Sequence, residues 1–229
     1  MTETAEKESS EKESAKSGLM TIIKRLVVIV VVLLLIAVGV SYLIPSHVRL
    51  ERSIAINAPP EIVFANVNDL KKWTAWSPWY EAEPTADYKY SGAESGVGAK
   101  VNWKGEKVGE GIQEITKSEA LKRIETTLDF GPQGTATSDW TFEATENGTN
   151  VKWGFDSDMG MNPVARYMGL MMESMLGPYY EKGLAKLKTV CEAETDSSAN
   201  ARRENGESIE ADSTGETPTD GESETNSNE

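Results

Sequence analysis

The sequence predicts an α+β protein. It has a curved antiparallel sheet of about seven strands wrapped on one long C-terminal helix, preceded by one transmembrane helix. Three observations carry this prediction. An uncharged run, Leu26 to Ile44, reads LVVIVVVLLLIAVGVSYLI. From Val48 to Ser157, short stretches of alternating hydrophobicity are separated by turn residues. From Asn162 to about Val190 the apolar period changes to that of a helix.

At ~1.5 Å per residue the apolar run matches the ~30 Å hydrocarbon core of a bilayer. A cleaved signal peptide has an apolar core of ~7–15 residues followed by a small-residue cleavage site. This run is longer, and Val40-Ser41-Tyr42-Leu43-Ile44 is a poor site for cleavage. A buried core helix rarely lacks a polar face over such a length. The sequence therefore predicts an uncleaved, single-pass anchor over 22–45. Lys24 and Arg25 abut its N-terminal end, whereas Arg49 and Arg52 stand further off at the other. The positive-inside rule then puts the N-terminus in the cytoplasm and the bulk of the chain outside.

The net charge of −14 is unevenly spread, because Glu192 to Glu229 holds twelve Asp/Glu against two Lys/Arg. Residues 1–21 and 192–229 are rich in Glu, Ser, Lys and Thr and poor in apolar groups, so both are expected to be disordered. Residues 46–191 remain for one folded domain, large enough for a sizeable core. No basic stripe offers itself to phosphates, which disfavours nucleic acid as a partner. Cys191 and His47 are the only cysteine and histidine. An intrachain disulfide, a His-based triad and a multi-His metal centre are excluded by inventory. No cofactor is implied, and the sequence names no protein partner.

Within the domain, Val48–Asn57 alternates well, with Arg52 the one charged residue on its apolar face. Pro60 and Glu61 suit the first turn of a helix to about Asn68. A second short helix is expected over Asp69–Trp73, with Asp69 as cap. The dense block Trp73-Thr74-Ala75-Trp76-Ser77-Pro78-Trp79-Tyr80 follows. Strands are expected near Asp87–Ser91, Ala99–Lys104, Gly109–Lys117, Leu121–Phe130, Thr135–Glu143 and Asn150–Ser157. The Asn147-Gly148 pair marks a tight hairpin. Its glycosylation sequon with Thr149 needs no modification to explain it. Asn162-Pro163 caps and opens the long helix, and Gly177-Pro178 predicts a kink or break within it.

In this order the elements resemble the START/polyketide-cyclase superfamily (SRPBCC, helix-grip fold), near its polyketide cyclase/dehydrase and lipid transport branch. Four stretches carry the resemblance: Ile54 to Phe64, Val67 to Trp79, Gly109-Glu110-Gly111-Ile112, and Tyr167 to Lys188. The resemblance implies a helix-grip domain. Members include ligand binders, lipid carriers and a few enzymes, and the family has no single catalytic motif to carry over.

A sheet closed by one helix can enclose a cavity. Its expected walls are Trp76, Trp79 and Tyr80 from the aromatic block and Trp103, Phe130, Trp140, Phe142, Trp153 and Phe155 from the strands. The helix adds Tyr167, Met168, Met171 and Met175. The same residues could instead pack the core. Glu110 shares strand parity with Ile112 and Val108. It is therefore either an inward carboxylate, able to bind a ligand or act as an acid, or is turned to solvent by a bulge at Gly109 or Gly111. Gly96-x-Gly98 and Gly109-x-Gly111 lack the strand–turn–helix context of a nucleotide loop and read as sheet features. No nucleophile–base set and no catalytic residue stand out. The leading expectation is a membrane-anchored binding protein or carrier for a hydrophobic small molecule or lipid. Two alternatives remain: a cyclase or hydrolase acting on an apolar substrate, and an interaction module presenting the Trp73–Tyr80 block.

Overall fold

The computed structural model describes residues 2–212. Helix α1 (Thr2–Ser41) leads into β1 (His47–Ile56), α2 (Pro60–Asn68), a 3-10 turn (Lys72–Ala75) and α3 (Pro78–Ala82). The strands β2 (Asp87–Gly92), β3 (Ala99–Lys104), β4 (Glu110–Glu119), β5 (Arg123–Asp129), β6 (Thr135–Thr145) and β7 (Gly148–Asp158) follow, and α4 (Pro163–Asp212) closes the chain. All seven strands lie in one open antiparallel sheet of order β1-β7-β6-β5-β4-β3-β2. The antiparallel sheet with one long C-terminal helix, read from the alternation, is the observed fold, as is the helix-grip class that the resemblance implies.

Residues 22–41 of α1 form a segment long and apolar enough to cross a membrane, with mean hydropathy 2.9 and side chains exposed from Ile22 to Val40 apart from a half-buried Ala37. The helix begins at Thr2, whereas composition predicted disorder over 1–21. Glu, Lys and Ala make that segment too polar to fold alone, but they are also good helix formers. The apolar helix behind them removes the cost of a new nucleus.

Short-range signals act where they were read. Pro60 opens α2. Asp69 Oδ1 accepts the Lys71 N–H (2.9 Å), and the turn it starts is a 3-10 helix rather than an α-helix. Asn162 Oδ1 accepts the N–H groups of Val164 and Ala165 and caps α4. The β6–β7 hairpin is shifted by one residue: Thr145 pairs with Gly148, so Glu146 and Asn147 form the loop. Gly148 is required at φ +147, where an added Cβ would meet the Ile56 carbonyl.

Helix α4 runs unbroken through Pro178, against the expected break, and extends past Val190 to Asp212. Proline costs the bond to the carbonyl one turn back, but Pro178 faces solvent, and the helix is held by the sheet on either side of it. Beyond Cys191, acidic side chains fasten the next turn to the domain. Glu192 accepts the Asn57 N–H (2.8 Å) and Glu194 accepts the Asn66 side-chain amide (3.0 Å). The disorder expected beyond Asp212 lies outside the described residues.

The core sits between α4, α2 and the inner face of β1, β7, β6 and β5. Trp76, Trp140, Trp153, Leu50, Ile124, Val151 and Leu187 are fully buried there. Trp73, Trp76, Trp140 and Trp153 form one cluster, with Trp140 stacked on Trp153 at 4.3 Å. Arg52 lies on the same inner face and bonds Glu173 (2.5 Å) and Glu181 (2.9 Å) of α4, which explains its place in an apolar alternation.

Candidate functional site

Away from the tryptophan cluster the sheet and α4 separate around a cavity of about 700 Å³. Register decides its walls. Tyr88 pairs with Trp103, Val101 with Gln113, and Gln113 with Leu128, so these side chains share the inner face at the β2–β5 end of the sheet. Trp79 and Tyr80 enter from α3, and Met168, Met172, Leu176 and Tyr180 from α4. These four α4 positions recur every fourth residue and form one stripe along the helix. The exposed members of the lining lie in the β5–β6 connection, Pro132 to Thr135, and from the end of β7 into α4, at Asp158, Gly160, Asn162, Val164 and Met168, so the mouth opens between them.

Among the residues expected at the site, Trp79, Tyr80, Trp103, Phe130, Phe155 and Met168 border the cavity, and Trp153 forms its floor toward the core. Seven others do not line it. Trp76 and Trp140 are fully buried inside the tryptophan cluster, and Phe142 packs edge-on against Phe64 in the core. Glu110 pairs with Lys104 (3.3 Å) on the outer face. The inward residues of β4 are Gly111, Gln113 and Ile115; of the two residues whose parity suggested an inward Glu110, Val108 lies in the β3–β4 connection and Ile112 is exposed on the outer face. Gly111 leaves space for the Trp103 ring, which a Cβ at that position would strike. Tyr167, Met171 and Met175 are exposed on the neighbouring flank of α4, beside the stripe of Met172 and Leu176. The aromatic block is not a docking patch either, because Trp73 and Trp76 are buried and their indole N–H groups donate to the Val67 and Asn66 carbonyls.

The sequence reading missed the polar groups of the cavity. Tyr80 stacks on Tyr88 at 4.0 Å and its hydroxyl meets that of Tyr90 at 2.8 Å. The Tyr88 hydroxyl is buried without a partner. Burial and the nearby Glu83 charge raise its pKa, so Tyr88 stays protonated and can donate. Gln113 donates to Thr126 (3.2 Å), and the Trp153 indole donates to Ser138 (2.9 Å). Glu83 accepts the backbone N–H groups of Glu106, Lys107 and Val108 and so fixes the β3–β4 connection, whose Val108 carbonyl in turn accepts the Trp103 indole N–H. Those backbone bonds hold the Glu83 carboxyl below its ordinary range. The signal for the inner face of α4 was glycine. Gly169, Gly177 and Gly183 mark the side that approaches Val48, Arg52 and Trp153 closely. Among the described residues no cluster of three or more His, Cys, Asp or Glu could hold a metal. The arrangement can enclose an apolar molecule and offer it a few hydrogen bonds.

Residues 47–192 match the family described as polyketide cyclase/dehydrase and lipid transport, and the chain belongs to that family. Solved structures share the fold. A protein of unknown function from Staphylococcus aureus superposes with a TM-score of 0.51 at 14% identity, over 66% of this chain and 96% of that one. The di-domain ARO/CYC StfQ from the steffimycin biosynthetic pathway gives 0.51 at 11% identity, over 65% of this chain and 51% of that one. No curated protein matches the chain by sequence.

Proposed function

We propose that this protein is a membrane-tethered binding protein or carrier for a hydrophobic small molecule or lipid. The cavity carries the reading. Its volume of about 700 Å³ falls in the ~300–1,000 Å³ range of ligand sites. Its walls are aromatic and aliphatic, with a few convergent polar groups, whereas a domain needing only stability gains from close packing. The family description includes lipid transport. The length and hydropathy of residues 22–41 support the tether, and the flanking Lys24 and Arg25 support a cytoplasmic N-terminus with the domain outside.

The test is uptake by delipidated protein of a fluorescent fatty acid, phospholipid or isoprenoid, compared with Met172→Trp. Met172 lines the cavity, and an indole there occupies the ligand's space. Uptake by the parent and its loss in a folded Met172→Trp variant are expected. No uptake of any of the three probes, together with no lipid-sized mass on native mass spectrometry of gently extracted protein, overturns the reading.

One observation favours turnover as a second reading, cyclase or hydrolase in type. Tyr88 places an unpartnered, protonated hydroxyl at the cavity wall. Tyr88→Phe would then abolish turnover while leaving uptake intact. Glu110 has no part in this reading, since it lies on the outer face.

A further inference from the structure

The first half of α4 carries an apolar face that none of the described residues covers. Val164, Met168, Met171 and Met175 recur at intervals of three and four, the spacing of a helix face that is normally buried. Here they are 67, 54, 58 and 52% exposed. Met161 and Leu170 widen the patch. From Met159 to Tyr180 only Arg166 and Glu173 carry charge, and both are engaged elsewhere. Glu173 binds Arg52. Arg166 donates to the carbonyls of Gly160, Ser41, Tyr42 and Ile44. The exposed face is therefore free of charge.

What adjoins the patch identifies its occupant. The Tyr167 hydroxyl donates to the Ala37 carbonyl (2.7 Å), inside the apolar segment of α1. Ala37 precedes the end of that segment by four residues, so at ~1.5 Å per residue the contact lies ~6 Å below it. A helix lying in a bilayer interface buries its apolar face ~5–10 Å deep. The two depths agree. Tyr42 and Tyr167 are exposed at this junction, the residue type that membrane interfaces favour.

We infer that residues 161–175 form a second membrane contact. They lie in the interfacial layer of the leaflet where α1 ends, so that the cavity mouth, bordered by Val164 and Met168, opens toward acyl chains rather than bulk water. The inference rests on the reading of α1 as a membrane span, and the experiment separates the two. Cys191 is fully buried, and burial pushes its thiol up to about 12, so it is inert to labelling and single cysteines can be added to the native background. An environment-sensitive fluorophore is attached to Met171→Cys, Leu33→Cys or Lys122→Cys in the full chain, reconstituted in phosphatidylcholine vesicles with brominated acyl chains. The inference expects labels at 33 and 171 to be blue-shifted and quenched by the bromolipid, while the label at 122, in an exposed turn, is quenched only by aqueous iodide. A label at 171 quenched by iodide, with 33 quenched by bromolipid, overturns the second contact and leaves the tether standing. Protection at 171 from both quenchers also overturns it and assigns the face to a second copy or another protein. A label at 33 untouched by bromolipid overturns the tether and this inference together.

Discussion

The two ends of the domain are built from the same residue types with opposite results. At the β1–β7–β6 end, Trp73, Trp76, Trp140 and Trp153 meet edge-on and stacked, and the second half of α4 closes over them with Leu184, Leu187 and Cys191 fully or nearly buried. At the β2–β3–β4 end, Trp79, Trp103, Tyr80 and Phe130 stand around open space beneath the first half of the same helix. The difference comes from what lies between sheet and helix. The packed end receives α2 and the 3-10 turn as filler, with Val63, Val67, Leu70 and Trp73. The hollow end receives only the short α3. Aromatic content alone therefore does not decide whether a region is core or site; the number of inserted layers does.

The largest effect should come from truncating the packed end. Trp76→Ala removes a fully buried indole together with its hydrogen bond to Asn66 and should cost about 3–5 kcal/mol in chemical denaturation. Trp103→Ala, at a ring that already borders empty space, should cost about 1–2 kcal/mol. Equal losses would erase the distinction between the two ends. Smaller is the effect of Arg52→Ala, which releases the clamp between β1 and α4 where the ends meet. Both carboxylate partners are well exposed, so about 0.5–1 kcal/mol is expected, shrinking as salt is added. A loss that is insensitive to salt would assign Arg52 a packing role instead.

Smallest is a pH effect confined to the hollow end. The folded state depresses the Glu83 pKa through three backbone N–H donors. Its contribution is therefore present above the ordinary carboxylate value and is lost as pH falls through the folded one. Amide exchange at Glu106, Lys107 and Val108, compared with exchange at Ile124 and Val151, should show local loosening on acidification. Uniform loosening at both ends would contradict a local role.

Most of the fold was legible because one face of nearly every strand is buried and alternation reports it directly. Arg52 broke the pattern without breaking the strand, since its partners lie on a helix over a hundred residues away. The cavity's lining was only half legible. Of the two orientations open to Glu110 the solvent-facing one is observed, because Ile112, the apolar residue that shares its parity, is itself exposed on the outer face. On α4 two apolar stripes compete, Met168-Met172-Leu176-Tyr180 and Val164-Met168-Met171-Met175, and hydrophobicity cannot rank them. The glycines at 169, 177 and 183 break the tie, but only once sheet contact is in view. Tyr88 and Gln113 were missed because a polar inward residue looks like a surface one until its neighbours are known.

The Arg166 side chain has a mechanical consequence. Its guanidinium reaches three carbonyls at the end of α1, and only Tyr42 to Ser46 separate that helix from β1. Even fully extended, five residues reach less than ~20 Å. Joined so closely, helix and domain form a bracket rather than a ball on a chain. On the tethered reading, such a bracket cannot ferry cargo between distant membranes. On that same reading it would serve as a fixed station, loading and unloading within one leaflet or handing cargo to something that comes to it.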